Sequence, residues 1–413
     1  MKKRIIILGI AALFASFNLF SCNSDDDFGV EVTQNSVLTL NFKGENVSKI
    51  NSLKIEIIET NTGTKQTISL ENQTTYSLEL PYGSYNIIAN GLGIDNNGDH
   101  VAIAGGNTIV INTLSSNLTI DLLVKQFGED FIIEEVFFTG IKTAENKNYN
   151  NSRYFKITNN TEKVLYADNL IIATSEFFTT TDQHVTPFHP NKAFAISAIM
   201  TVPGSGTEHP VQPGDFIVVA DNAIDHTEFA PDAYNLINAD FEFPNENPSL
   251  GQVDNPNVPN MNIIYTKMNY NMIFLYTTSQ ESYVIARFPE GQNAENFLEN
   301  NKYNYSYTNA AGNVINRSSY QIPNSWIIDG VNVSNPDKFL RLITSKSIDS
   351  GWTGAWPGYN GKTIRRKEAG KLKNGKTRYQ DTNNSTEDFI ANSDSSLANG
   401  IVPVSYTHLR AHE

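Results

Sequence analysis

Short runs of alternating apolar and polar residues fill the chain between residues 30 and 125. Leu38, Leu40 and Phe42 fall on one face of an extended segment, as do Leu53, Ile55 and Ile57. The same period links Ile68 with Leu70, then Tyr76, Leu78 and Leu80, then Tyr85, Ile87 and Ala89, and last Leu118, Ile120, Leu122 and Val124. A period of two belongs to the half-buried strand, because successive side chains point to opposite faces. Turn-forming clusters separate the runs, among them Asn61-Thr62-Gly63, Pro81-Tyr82-Gly83 and Gly105-Gly106-Asn107. Short strands at this spacing predict a β-sandwich over residues 30–125. A second set of strand candidates covers residues 131–138, 153–160, 164–173, 216–220 (after Pro213-Gly214-Asp215) and 326–333. The stretch 221–324 is too long for a structureless loop. It is expected to add strands or short helices of its own, such as residues 294–301. The pattern predicts an all-β chain of two tandem β-sandwich domains, 30–125 and 131–402, the second with a long insertion at about 221–324.

Composition narrows the function classes. With 413 residues there is room for two or three domains. Acidic residues number 44 against 30 basic ones, a net charge of −14, which argues against nucleic acid as a partner. Aromatic residues make up 11% of the chain, too many for a disordered polymer. A single cysteine excludes intrachain disulfides and cysteine-based zinc sites.

That cysteine has a telling position. Lys2, Lys3 and Arg4 precede an apolar run over residues 5–20, which reads as a secretory signal peptide spanning residues 1–21. Cys22 follows Leu19-Phe20-Ser21. This resembles the lipobox of bacterial lipoproteins and implies a lipid anchor on the Cys22 thiol, with the outer membrane as partner. Residues 22–29 then form an acidic tether. Within it, Ser24, Asp25, Asp26, Asp27 and Phe28 resemble the surface-export signal of Bacteroidota lipoproteins, which implies display on the cell surface. At the other end, residues 404–413 resemble a translated sequencing adapter, so His408 and His412 are left out of every site argument.

Candidate chemistry is sparse. Asp221, Asp225 and His226 follow the apolar run 216–220, a placement common for functional groups; a helix cap or a turn would use the same residues. His184, His189 and His209 do not share the spacing of a zinc site, and no metal is expected. Asp95, Asn97 and Asp99 alternate as in a calcium loop, but His100 and Gly106 stand where glycine and an acid are required. A hairpin turn at Asn97-Gly98 accounts for that segment better. Glu134 and Glu135 are neighbours on a strand and are expected to face opposite ways, unsuitable for flanking one scissile bond. Neither a nucleophile elbow, a phosphate loop nor a dinucleotide fingerprint is present, so no catalytic residue and no cofactor is expected. Trp352, Trp356 and Tyr359 stand in a glycine-rich run and are candidates for stacking on a ligand; their alternative is burial beneath a folded loop. Arg365 and Arg366 are dense bases in an acidic chain, suited either to an anionic ligand or to pairing with Asp381 or Asp388.

Two resemblances join these observations. Pro81-Tyr82-Gly83-Ser84-Tyr85 resembles the strand entry of transthyretin-like and carboxypeptidase-regulatory-like modules, which implies that Gly83 permits the turn and Tyr85 packs inward. The acidic strand 131–138, the tyrosine strand 153–160, the Ile328-Asp329-Gly330-Val331 strand, Thr363-Ile364-Arg365-Arg366-Lys367 and the run 381–389 together resemble the lamin-tail domain, an immunoglobulin-like sandwich. They resemble more closely an uncharacterised Bacteroidota lipoprotein family that pairs the two modules. That family implies no particular activity. The expected function is therefore a surface-exposed, non-catalytic lipoprotein that binds a ligand or partner, as an accessory to a TonB-dependent outer-membrane transporter. The alternatives are a structural or adhesive surface protein, and a metal-dependent hydrolase.

Overall fold

The computed structural model describes residues 34–401 except 45, 97–99, 126–129, 245–246, 248, 250–251, 270–271 and 310. The expected leader, Cys22, the tether Ser24–Phe28 region, the Asn97-Gly98 turn and the 404–413 tail lie outside the described residues.

The first unit contains β1 (Asn35–Lys43), β2 (Val47–Glu59), β3 (Lys65–Glu71), β4 (Thr75–Pro81), β5 (Gly83–Asp95), β6 (His100–Ile111), β7 (Ser115–Asp121) and β8 (Leu123–Lys125). One sheet has the order β4-β1-β7, the other β3-β2-β5-β6-β8. The alternation seen in the sequence is the packing pattern. Leu38, Leu40, Ile55, Ile87, Ala89 and Ile120 are all fully buried between the sheets, while the residues between them face outward. Burying such a side chain contributes about 1.5–3 kcal/mol, so this face specifies the register of each strand. Tyr85 packs inward, and its hydroxyl donates to the Pro81 carbonyl at 2.8 Å. Gly83, expected to need special backbone freedom, does not have a positive φ; it simply begins β5.

The second unit opens with β9 (Phe131–Phe137), the small pair β10 (Ile141–Lys142) and β11 (Asn148–Tyr149), and β12 (Tyr154–Asn159). There follow β13 (Leu165–Tyr166), β14 (Ile171–Phe178), β15 (Ala193–Thr201), β16 (Pro210–Val211), β17 (Phe216–Ala220), β18 (Phe241–Glu242), β19 (Asn262–Thr266) and β20 (Glu281–Ala286). Helix α1 (Ala294–Asn300) precedes β21 (Lys302–Thr308), β22 (Val314–Pro323) and β23 (Ile327–Val331). β24 (Thr363–Arg366), β25 (Glu368–Lys371), β26 (Thr377–Tyr379), the single-turn α2 (Ser385–Asp388) and β27 (Phe389–Ser393) complete it. Two large sheets face each other, ordered β18-β17-β12-β9-β24-β27 and β21-β22-β15-β14-β20-β23, with β19 also pairing β15. The molecule is thus all-β and built of sandwiches.

The central strands β9, β12, β14, β15 and β20 are buried almost throughout rather than alternately, because both faces of their sheets are covered, whereas the edge strand β21 alternates and β25 is exposed. The inner core holds Phe131, Ile133, Phe155, Ile157, Ile172 and Ile285. A second core on the outer side of the β14/β15/β20 sheet gathers Ile171, Phe177, Phe194, Val284, Phe297 from α1 and Ile322. A third, outside β9/β12/β17, includes Phe137, Tyr154, Val218, Leu236 and Leu397.

Two expectations change here. The strand expected over 164–173 is broken into β13 and β14 by a turn at Asp168 and Asn169, the latter at φ 58°. The stretch 221–324 is not simply an insertion. It supplies β20, an internal strand that pairs with both β14 and β23, so the sandwich is incomplete without it. The helix expected at 294–301 is α1, capped by the Asn293 side chain on the Asn296 N–H.

Candidate functional site

The sequence candidates Asp221, Asp225 and His226 lie close together, but each is already engaged. Asp221 accepts from Arg153 Nε at 2.8 Å and Nη2 at 2.7 Å. Asp225 caps the 3-10 turn His226–Glu228 and accepts from Asn235 Nδ2 at 3.0 Å. His226 is fully buried, with Nε2 2.8 Å from the Asn222 carbonyl and Nδ1 2.7 Å from the Tyr149 hydroxyl. A carbonyl only accepts, so Nε2 carries the proton and Nδ1 accepts from Tyr149. Burial pulls the His226 imidazole below its ordinary range and pushes the Tyr149 phenol up to about 12. Neither ring nitrogen is free for proton transfer. His184, His189 and His209 are held elsewhere, by Asp182, Gln321 and the Phe241 ring respectively.

Arg366 is not exposed to an anionic ligand. It is 2% exposed and pairs with Asp329 at 2.6 Å, Asp381 at 3.3 Å and Asp388 at 3.5 Å. Arg365 is half-buried in β24, opposite Glu135 and Ile390. The three aromatic candidates separate. Trp356 donates its backbone N–H to Asn392 Oδ1 at 2.8 Å, and Tyr359 lies beneath Lys142, 5.2 Å from Nζ to ring centroid. Trp352 stacks on Phe339 with centroids 5.2 Å apart and planes 19° from parallel.

The expectation for Glu134 and Glu135 is corrected. Register shifts between Lys156, opposite Glu135, and Ile157, opposite Ile133, so Glu134 is the extra residue of a β-bulge. Both carboxylates therefore meet the same face of β12. Glu134 accepts from Lys156 Nζ at 2.7 Å and from the Tyr379 hydroxyl at 2.8 Å; Glu135 accepts from the Tyr154 hydroxyl and the Ser396 N–H. Burial pushes the Glu135 carboxyl upward. These contacts, together with Leu397 and Ile401 in the overlying core, leave the pair enclosed.

One acidic group escaped sequence reasoning. Carboxylate and imidazole atoms of Asp168, Glu208 and His209 lie within 4.8 Å of one another. Burial works against the Asp168 charge, but N–H donors from Glu208 at 2.9 Å, His209 at 2.8 Å and Gly206 at 3.1 Å hold its carboxyl below the usual range. The loop Val202-Pro203-Gly204-Ser205-Gly206 is folded around this carboxylate. Gly204 has φ 129°, and a Cβ there would stand 2.1 Å from Asp168 Oδ1. Gly204→Ala is therefore expected to lower stability by about 2 kcal/mol or more. An unchanged urea midpoint for the variant would show that the loop does not depend on this contact.

A cleft of about 600 Å³ lies between the two units. The first unit contributes Asn86, Gly106, Asn107 and Thr108. The second contributes Phe339, Arg341, Lys346 and Trp352 from the segment between β23 and β24, with Asn384 and Thr386 beside α2. No Asp or Glu is among the described lining residues. Lys346 Nζ, Arg341 Nε and Nη2, and Asn86 Oδ1 are buried without a hydrogen-bond partner among the described residues. Arg341 stacks on Phe188 at 4.3 Å and reaches Asp182 through Nη1 at 3.2 Å. Lys346 lies against Gly106, where a Cβ would come within 2.8 Å of the lysine Cβ. Burial pulls the Lys346 ammonium down to about 7. By contrast, the neighbouring cleft beside Leu123 and Trp326 holds Arg287 already paired with Asp130 at 3.4 Å.

Residues 212–396 match the family described as Protein of unknown function (DUF4876). A DUF4876 family protein from Bacteroides thetaiotaomicron VPI-5482, known from a crystal structure, is 22% identical over 90% of this chain and 99% of its own, with a TM-score of 0.59. The resemblance to an uncharacterised Bacteroidota family read from the sequence agrees with both findings, and the fold is shared across both units. A chain from Bacteroides eggerthii DSM 20697, with a provisional cell-adhesion designation, is 10% identical over 71% of this chain and 84% of its own at a TM-score of 0.18. A fimbrial assembly protein from Parabacteroides distasonis ATCC 8503 is 10% identical over 43% of this chain and 84% of its own at 0.15. Scores of that size carry no argument for this chain. No curated protein matches it. The matched residues 212–396 include Arg366 with its three acids and the cleft residues from Phe339 to Thr386; the first unit's wall lies outside them.

Proposed function

We propose that this protein is a surface-exposed, non-catalytic lipoprotein that binds a ligand in the cleft between its two units. The observation that carries the reading is that cleft. It combines an aromatic stack, amide and hydroxyl groups and cationic nitrogens of Arg341 and Lys346 without partners among the described residues, within the 300–1,000 Å³ range of small-ligand sites. The engagement of His226, Glu134 and Glu135 in closed hydrogen-bond sets supports binding over catalysis. Cys22 and the Ser24-Asp25-Asp26-Asp27-Phe28 run support a lipid anchor and export to the surface. Among the described residues, no helix is long and apolar enough to cross a membrane. The partner that suits such a tethered binder is a TonB-dependent outer-membrane transporter, to which the bound ligand passes.

Cys22→Ala is expected to move the protein from the membrane fraction to the soluble fraction, since buried acyl chains contribute about 0.8 kcal/mol per CH₂. Tight membrane association of the variant would remove the lipoprotein reading. Pull-down of the anchored wild type from mildly solubilised outer membranes is expected to bring down a stoichiometric barrel protein. Recovery of the protein alone would remove the transporter partner.

A further inference from the structure

We propose that the cleft between the two units takes an acidic saccharide, with its carboxylate or sulfate held by Arg341 and Lys346 and a sugar ring laid on Trp352. This rests on the reading of the cleft as the ligand site and names the ligand's chemical class.

Three independent features of the cleft point to this chemistry. The first is charge. The chain carries 14 more acids than bases, yet the only charged side chains among the described residues of this wall are Arg341 and Lys346. Both have buried nitrogens without hydrogen-bond partners among the described residues. For Lys346, whose ammonium nitrogen has no partner among the described residues, leaving the charge unpaired is costly, and an anion supplied by a ligand removes that cost. Arg341 is already oriented by Phe188 on its face and Asp182 at one end. Asp182 is 47% exposed, so water screens that pair and leaves the guanidinium able to receive a second anion.

The second feature is the flat platform. Trp352 and Phe339 stack almost parallel, and both border the cleft half-buried. A stacked indole offers a broad apolar surface that matches the C–H face of a pyranose ring, while its supporting Phe339 restricts its rotamer. The third is the remaining lining. Thr108, Asn191 and the Asn384 side-chain N–H₂ offer a hydroxyl and amides to sugar hydroxyls, while Asn107, Ser345 and Thr386 are held by Thr119, Ser347 and Trp352 and shape the wall. A fatty acid would leave the free groups among these unmatched.

The test uses the purified full chain in detergent with three probes: tetragalacturonate, a heparin-derived tetrasaccharide and neutral maltotetraose. Calorimetry gives the affinities, and tryptophan fluorescence reports the platform. Binding of an acidic probe at one per chain, about tenfold or more tighter than maltotetraose, is the expected result. Preference between galacturonate and the heparin fragment assigns carboxylate or sulfate as the anion. Lys346→Met is expected to weaken the acidic probe about tenfold while raising Tm by about 2 °C or more, since it removes an unpaired buried charge. Trp352→Ala should weaken binding and abolish the fluorescence change. A merely structural lysine would give the reverse, a lower Tm with unaltered affinity, and would overturn the inference. Equal affinity for maltotetraose would also overturn it, yet leave the cleft standing as a ligand site. Failure of all three probes would overturn the saccharide assignment, while the membrane and pull-down experiments judge the broader reading independently.

Discussion

Replacing Arg366 with alanine is expected to destabilise the second unit by about 3–5 kcal/mol, the largest effect of any single substitution considered. Arg366 joins the two sheets. Its Nε donates to the Ile133 carbonyl in β9 at 2.9 Å, its Nη2 meets Asp329 in β23 at 2.6 Å, and its Nη1 reaches the Gln380 carbonyl at 3.0 Å. Its guanidinium also lies 4.6 Å from the centroid of the Phe389 ring. Without it, Asp329 and Asp388, both almost fully buried, and the nearby Asp381 lose their common cation. Arg366→Lys should fall between, because a point charge cannot replace the forked set of donors. A pH series separates charge from packing. Burial, opposed by Arg366, places the Asp329 carboxyl at about 7, above its ordinary value. A carboxyl raised in the folded state contributes stability fully below its unfolded pKa and loses it as pH rises through the folded one. With the cation gone the Asp329 carboxyl rises further and the loss continues to higher pH, so Arg366→Ala should be weaker at pH 8 than at pH 5.5 relative to wild type. Urea denaturation at the two pH values measures this; an equal deficit at both would make the residue a packing element rather than a counter-ion.

Glu281→Gln is expected to act in the opposite direction. Glu281 is internal to β20, 1% exposed, and its Oε1 has no hydrogen-bond partner among the described residues. Burial pushes its carboxyl up to about 8, against weak opposition from the Tyr276 N–H at 3.4 Å and from Lys267. Between the unfolded value of 4.5 and about 8 the folded chain holds a proton that the unfolded chain has released. Wild-type stability therefore falls with rising pH across that window, at up to about 1.4 kcal/mol per pH unit. Glutamine removes this slope while keeping the shape. The stability difference between variant and wild type should grow from pH 5 to pH 8, reaching on the order of 3 kcal/mol. The difference also cancels contributions from unrelated groups such as Lys346, whose depressed value acts with the opposite sign above pH 7. A constant difference across the range would mean that Glu281 is ionised in the fold.

The residues behind these predictions show how far linear reading reaches. Arg366 was a visible anomaly, and pairing with Asp381 or Asp388 was one of its two readings. Its bond to Asp329 was not visible, because that partner arrives on a different sheet. Glu134 and Glu135 were placed on opposite faces by the strand period. The bulge opposite Lys156 and Ile157 brings them to one face, and a bulge has no mark in a single run of apolar residues. Trp352, Trp356 and Tyr359 looked like one cluster, yet only Trp352 borders the cleft between the units. Asp168 looked like part of a strand until the 204–209 loop folded back onto its carboxylate.

What the sequence by itself determined was the all-β architecture and the facing of the first unit. There the period of two is both the local geometry of a strand and the burial pattern of a sheet with one wet face. The residues on which the proposed anchor and export rest, Cys22 and Ser24 to Phe28, are likewise a linear pattern. What only the tertiary structure decided was the second unit's facing and the cleft between the units. Central strands covered on both sides show no alternation to read. The cleft exists because Gly106 of β6 meets Lys346 and because Arg341 and Trp352 border the same wall. Such placements follow from long-range packing, where burial and unpaired charge are properties of neighbours in space rather than neighbours in the chain.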